Sequence, residues 1–164
     1  MLIVTASNGE NLNLAQQLNQ IANLQGVDSK VIDLSNYSLP LYTTQQRAKG
    51  IPSGIEAIAQ EFNDAQTMIF CAPEYNGSIP PALANVIAWI SVLTNDYRAP
   101  FNEKLGALAT HSGGHGQKLL MAMRMMLTTM GMNLIGREIQ TNPKRPFQIS
   151  DGEAVIKQLR SAHI

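Results

Sequence analysis

The chain has 164 residues, of which 45% are apolar and only 15% charged. That length fits one domain over 1–164, with enough apolar material for a core and too much for long disorder. Twelve basic residues balance twelve acidic ones, so no strong field draws in nucleic acid or an anionic membrane, and a basic DNA-binding module and an acidic tail are both excluded.

Met1–Ala6 is a short apolar run that reads as a buried strand. Next, Leu14, Ala15, Leu18, Ile21 and Ala22 share one face of a helix, with Gln16, Gln17, Asn19, Gln20 and Asn23 opposite. Gly26 punctuates it, and Lys30–Leu34 reads as a second strand. After a Pro-rich loop from Pro40 to Pro52, Ile55, Ile58, Ala59 and Phe62 repeat at helical spacing. Thr67–Ala72 is a third buried strand. Pro80 and Pro81 suit the first turn of a helix, where a missing N–H costs little, and Leu83, Val86, Ile87 and Ile90 face inward from it. Leu105–Thr110 predicts a fourth strand, Gln117–Met130 a helix, and Met132–Ile135 a short fifth strand. Ser150-Asp151-Gly152-Glu153 has capping-box spacing and opens a last helix bearing Val155, Ile156 and Leu159. Strands with almost no polar alternation need both faces covered, which predicts a parallel sheet between two helix layers.

The single cysteine, Cys71, forms no intrachain disulfide and cannot supply a cysteine-rich zinc site; within an apolar strand it reads as a small buried hydrophobe. No apolar run reaches the roughly 18 residues of a membrane span, and Met1–Thr5 is too short and lacks the basic flank of a signal peptide. A soluble, cytoplasmic protein is the expectation.

In doubly wound sheets, ligands bind beyond the carboxyl ends of the strands, where the strand order reverses. Three of these strands end in loops of small and amide residues. The first, Thr5 to Asn13, suits a phosphate through its Ser and Asn side chains and a helix N-terminus, although Ser and Asn also cap helices generally. It matches neither GxxxxGK[ST] nor GxGxxG. The second, Pro73-Glu74-Tyr75-Asn76-Gly77-Ser78-Ile79-Pro80, places an aromatic and an amide where a planar heterocycle could rest; the same residues also favour turns. The third is Thr110-His111-Ser112-Gly113-Gly114-His115-Gly116.

The second loop and its continuation, with Leu83, Asn85, Ile87 and Trp89, resemble the PEYNxSxPxxLKNxIDW segment of the NADPH-dependent FMN reductases. That flavodoxin-like family includes quinone, chromate and azo reductases. Asp33-Leu34, Leu39-Pro40-Leu41-Tyr42 and Thr110–Gly116 look like the family's second strand, the loop after it and its third flavin loop. The first loop is one residue shorter than the usual pattern, lacks its customary Arg or Lys, and carries Glu10. Pro81 and Ala84 stand where Gly and Lys are common.

The resemblance implies a flavodoxin-like doubly wound five-stranded parallel sheet, order 2-1-3-4-5, with helices on both faces. It implies FMN as cofactor and NADPH or NADH as co-substrate, with hydride passing to the flavin and on to a quinone-like or other small acceptor, or to free flavin. Ser7, Asn11, Leu12 and Asn13 would hold the phosphate. Pro73, Glu74, Tyr75, Asn76, Gly77 and Ser78 would line the ring, largely through backbone groups, and Ser112, Gly113, Gly114 and Gly116 its other edge. The relay requires no side-chain acid or base, so no residue is assigned as catalytic. Two other readings remain: a flavodoxin-type electron carrier, which the zero net charge disfavours, and a flavin-free binding or regulatory module.

His111 and His115 stand four apart, a metal spacing on a helix, but the glycines around them make a loop and no metal is assigned. Ser112 beside His111 lacks the G-x-S-x-G elbow of a hydrolase. Six of the eight methionines fall in 121–132. Leu120, Met123, Leu127 and Met130 form an inward face, whereas Met121 and Met125 lie elsewhere and predict a covered outer surface, for which a two-fold dimer is the simplest closed solution; the resemblance implies a homodimer or homotetramer, and Trp89 and Tyr97 are assigned to the same interface.

Overall fold

The computed structural model describes residues 1–161. Five strands form one sheet in the order β2-β1-β3-β4-β5, every pair parallel: β1 (Leu2–Thr5), β2 (Lys30–Asp33), β3 (Thr67–Cys71), β4 (Leu105–His111) and β5 (Asn133–Thr141). This is the predicted order. The α-helices are α1 (Glu10–Leu24), α2 (Thr44–Arg47), α3 (Ile55–Asp64), α4 (Pro81–Ile90), α5 (Gln117–Thr129) and α6 (Ile149–Ser161).

The pleat divides the core. Leu2, Val4, Met68, Phe70 and Leu108 face one layer, built from α3, α4 and α5. Ile3, Ile69, Cys71, Ala107 and Ala109 face the other, built from α1 and α6. Successive side chains point to opposite faces, and both faces are covered, so the central strands are apolar throughout. Gly152 permits the close approach of α6 to α1: a Cβ there would lie 2.6 Å from Ile21 Cδ1. No described helix is long and apolar enough to cross a membrane.

Four expectations need correction. β5 runs to Thr141 rather than Ile135, because a bulge separates its halves: Gly106 pairs with Leu134, but Leu108 already pairs with Glu138. The exposed Gly136 and Arg137 in that bulge break the apolar pattern, and Arg124 of α5 repairs it, donating to the carbonyls of Leu134 and Ile135 and pairing with Glu138 at 2.7 Å. The loop from Pro40 to Pro52 contains α2, capped by Thr43, whose Oγ1 accepts from Gln46 N at 2.9 Å. Helix α6 begins at Ile149, so Ser150 stands inside its first turn and not at the cap.

The fourth correction concerns Trp89. It is fully buried within the chain and belongs to the core, not to an outer surface. Its Nε1 donates to Pro40 O at 2.8 Å, one helical turn from Asn85, whose Nδ2 donates to the same carbonyl at 3.1 Å and whose Oδ1 accepts from Tyr42 N at 2.7 Å. Residues at i and i+4 share a helix face, and here they staple the loop after β2 onto α4.

Candidate active site

Register puts Thr5 beside both Asp33 and Cys71, and Cys71 beside Ala109. The carboxyl ends of β1, β3 and β4 therefore finish at one level, and β1 leads outward to β2 on one side with β3 on the other. The loops leaving these ends meet at the switch point.

After β1, Thr5 Oγ1 donates to Ser7 O at 2.9 Å and folds the loop back on the strand. The N-cap of α1 is Gly9, and no side chain caps it. Gly9 O accepts from Leu12 N at 2.9 Å and Asn13 N at 3.1 Å, so those two amides are engaged within the helix. The N–H groups of Asn8, Gly9, Glu10 and Asn11 have no partner among the described residues. Ordinary side-chain capping is thus not what Ser7, Asn8 and Asn11 do here. Free amides at the positive end of a 15-residue helix form an anion-binding corner.

Asn11 has a different task. Its side chain is buried, with Nδ2 donating to His111 O at 2.9 Å and Oδ1 accepting from His111 N at 2.8 Å. Both halves of the amide are committed to the end of β4. Leu12 and Asn13 lie one step further along α1, off the cleft wall.

After β3, a chain of hydroxyls fixes the second loop. Glu74 N donates to Ser112 Oγ at 2.9 Å, Ser112 Oγ lies 2.9 Å from Thr110 Oγ1, and Thr110 Oγ1 donates to Ala72 O at 2.7 Å. A carbonyl only accepts, so the Thr110 proton goes to Ala72 and the Ser112 proton to Thr110. The Glu74 carboxylate accepts from Leu119 N at 3.2 Å and so supplies to α5 the cap that its own N-cap, Gly116, cannot.

Tyr75 and Ser78 exchange backbone bonds at 3.2 and 2.9 Å around Asn76 and Gly77, whose φ values are 52° and 71°. Positive φ at both central positions is the signature of a type I′ turn, for which Asn-Gly is the preferred pair. The turn leaves Tyr75 49% exposed at the rim.

After β4, Gly113 and Gly114 are open, and a Cβ on either would meet nothing within 4 Å. Gly116 is different. At φ 66°, a Cβ there would fall 2.6 Å from Thr110 Cγ2 and break into the hydroxyl chain.

Ser7, Asn8, Gly9, Glu10, Asn11, Pro73, Glu74, Tyr75, His111, Ser112 and Gly113 line one cleft of about 340 Å³. Seven of these were expected from sequence. Asn76, Gly77, Ser78, Gly114 and Gly116 stand beside it. Sequence reasoning did not assign Asn8, Gly9 and His111 as wall residues; the free cap at Gly9 was legible in principle, whereas His111, inside the loop likened to the third flavin loop, was weighed by itself as a metal ligand and as a neighbour of Ser112. Burial pushes the Cys71 thiol far up from its ordinary value, which keeps it an unreactive apolar side chain.

The wall fits FMN. Free amides and the Ser7 hydroxyl, which has no partner among the described residues, suit a phosphate. The open glycines and the exposed Tyr75 ring leave space for a planar group. Glu10 is the misfit, a carboxylate in the first turn of α1, but it is exposed and free to turn to water. Glu10→Ser is therefore expected to tighten FMN by no more than about 1 kcal/mol, with the gain shrinking as salt rises. Flavin titrations at two ionic strengths measure it.

The sequence profile described as NADPH-dependent FMN reductase matches residues 1–143. A quinone reductase of Escherichia coli K12 is 32% identical over 98 residues, which cover 58% of this chain and 52% of that enzyme, so the match spans about half of the relative. An uncharacterised protein of Mycoplasma pneumoniae is 25% identical over 142 residues, 83% of this chain and 81% of its own. The flavoenzyme NAD(P)H:acceptor oxidoreductase of Paracoccus denitrificans superposes with a TM-score of 0.69 at 17% identity, covering 98% of this chain and 91% of that one, which establishes the shared fold. With the loops meeting at the switch point and the profile covering most of its length, the chain belongs to the NADPH-dependent FMN reductase family.

Proposed function

We propose that the cleft holds FMN and that the protein is an NAD(P)H-dependent oxidoreductase passing hydride from nicotinamide through the flavin to a quinone-like or other small acceptor. The observation that carries this reading is the convergence of the β1, β3 and β4 loops on one cleft. When bound, FMN supplies the redox chemistry, taking up and releasing hydride. The chain binds and orients it. Ser7 and the amides of Asn8 to Asn11 serve the phosphate. The N–H groups of Glu74, Tyr75 and Ser112 are already bonded within the protein, so the donors left for the ring edge are those of Asn76, Gly77, Gly113 and Gly114. Because the I′ turn fixes Asn76 and Gly77 beforehand, and the hydroxyl chain ties Glu74 to Ser112, the loop after β3 needs little ordering on binding. Mixing the FMN-loaded protein anaerobically with NADPH, and separately with NADH, should bleach the flavin far faster than the same nucleotides bleach free FMN. Equal rates would reject the reading.

The same proposal includes a homodimer or larger homo-oligomer. Met121 and Met125 are 68% and 70% exposed on α5, and Met121 lines a second cleft of about 300 Å³ with Glu74, His115, Gly116, Gln117 and Lys118. A partner seated on this face would cover both methionines and wall the cleft beside Glu74, linking assembly to turnover. Sedimentation at micromolar concentration should show no 17.9 kDa species, and Met125→Glu should yield monomers with lower turnover. A fully active wild-type monomer would contradict the assembly.

A further inference from the structure

A second cleft, of about 280 Å³, lies against the main one, and Glu10 and His111 line both. The two therefore meet at the first turn of α1, beside the free amides of Asn8 to Asn11. The far side of the second cleft comes from the end of β5 and the connection to α6. His111 Nδ1 lies 3.0 Å from Thr141 Oγ1, which ties the ends of β4 and β5 together in its wall.

No Lys or Arg lines this second cleft, so its wall does not suit an anion. Its apolar part is made of rigid, flat groups: Pro143, Pro146 and the half-buried Phe147. A Cβ on Gly152 would lie 2.8 Å from Phe147 Cζ, so the tip of that ring is packed against α6 and its place is set before anything binds. The polar part offers one donor and one acceptor. Asn142 Oδ1 accepts from the N–H groups of Lys144 and Arg145, both at 2.9 Å, which leaves Nδ2 without a partner among the described residues. Gln17 Nε2 donates to Asn13 O at 3.3 Å and leaves its Oε1 without one. A flat wall with a donor and an acceptor suits a planar heterocycle that carries both, as adenine does with its amine beside a ring nitrogen. The Glu10 carboxylate, a misfit beside a phosphate, is a suitable acceptor for ribose hydroxyls, the pairing by which acidic residues hold the adenosine ribose of dinucleotides.

We propose that the second cleft binds the adenosine half of FAD, whose FMN moiety keeps the main cleft. This rests on the flavin reading above. In FAD the adenosine is joined through the flavin phosphate, and the first turn of α1, which would hold that phosphate, is where the two clefts meet. Phe147 and the prolines lie along the base, and Glu10 accepts from the ribose hydroxyls. NADH carries the same adenosine, and the test below separates the two sources. NADPH fits less well, because its 2′-phosphate would meet the Glu10 carboxylate.

Isothermal titration calorimetry of the purified protein with FMN and with FAD, in phosphate-free buffer, gives the preference for the dinucleotide. FAD should bind about tenfold tighter than FMN. Phe147→Ala should abolish that preference and leave FMN binding unchanged, whereas Phe147→Tyr should keep it. Glu10→Gln should lower the preference about threefold while FMN itself holds or tightens, a pair of opposite changes that general damage to the fold would not produce. Circular dichroism checks folding, and Glu10, being exposed, supplies the test if Phe147→Ala does not fold. FMN binding with FAD no tighter would overturn the proposal and leave the flavin reading standing, as would a wild-type preference retained in both Phe147→Ala and Glu10→Gln. ADP binding to the FMN-loaded wild type but not to FMN-loaded Phe147→Ala, with no preference for FAD, would give the cleft to the nicotinamide cofactor and overturn the assignment to FAD. If neither flavin bound, the flavin reading itself would fail, and this proposal with it.

Discussion

Replacing Trp89 with alanine is expected to remove about 3–5 kcal/mol of stability, the largest effect of any single change considered. Trp89 is the biggest side chain with no exposed surface, and its ring meets Tyr42 edge-on at 5.1 Å between centroids. Alanine would open a cavity between α4 and the loop after β2 and free Pro40 O of one of its two donors. Trp89→Phe separates these contributions. Most of the volume remains, Asn85 still donates to Pro40, and the expected cost is about 1–2 kcal/mol. Trp89 is the sole tryptophan, so urea unfolding of all three forms must be followed by far-UV circular dichroism. Equal midpoints for Trp89→Ala and Trp89→Phe would show that packing at this position contributes little.

The second large effect is expected at Asn11. Asn11→Ala would strip both backbone partners from His111 and cost about 2–3 kcal/mol, since unsatisfied groups at a partly buried site lose more than a hydrogen bond contributes. It should also weaken FMN, because the clamp sets the spacing between the loops after β1 and β4. Asn11→Asp is the sharper test. Its carboxylate can still accept from His111 N–H but opposes the carbonyl and adds negative charge beside the free amides of Asn8 to Asn11, so FMN binding should weaken further than in Asn11→Ala. Thermal midpoints and flavin titrations on both variants check the two parts. An Asn11→Ala protein with unchanged stability and affinity would remove the clamp from the account.

Much of this was legible in the sequence, for physical reasons. Strands buried on both faces are continuous apolar runs, and the helices carry their apolar residues at helical spacing, so the alternation of elements was readable locally. Pro81 in the first turn of α4 and the Asn76-Gly77 turn follow directly from backbone preferences. What sequence could not supply depends on register between distant segments. Asn11 and His111 are 100 positions apart, and only the parallel pairing of β1, β3 and β4 brings them together. The Thr110–Ser112 chain to Ala72 and Glu74 is hidden for the same reason, as is the cap that Glu74 gives α5. Trp89 misled because an aromatic near a helix end fits an interface as well as a core. β5 was cut short because its bulge places exposed residues at Gly136 and Arg137 where a regular strand would have alternated.

The placement of FMN in the cleft lined by Ser7, Glu74, Tyr75, His111 and Ser112 is the claim on which the chemistry depends. Titrating the purified protein with FMN in phosphate-free buffer, while following flavin fluorescence, tests it most directly. The account predicts saturable quenching at one flavin per chain, weakened when Ser112→Ala breaks the hydroxyl chain that fixes the Glu74 loop. A signal that rises linearly with added FMN, without saturation, would contradict it.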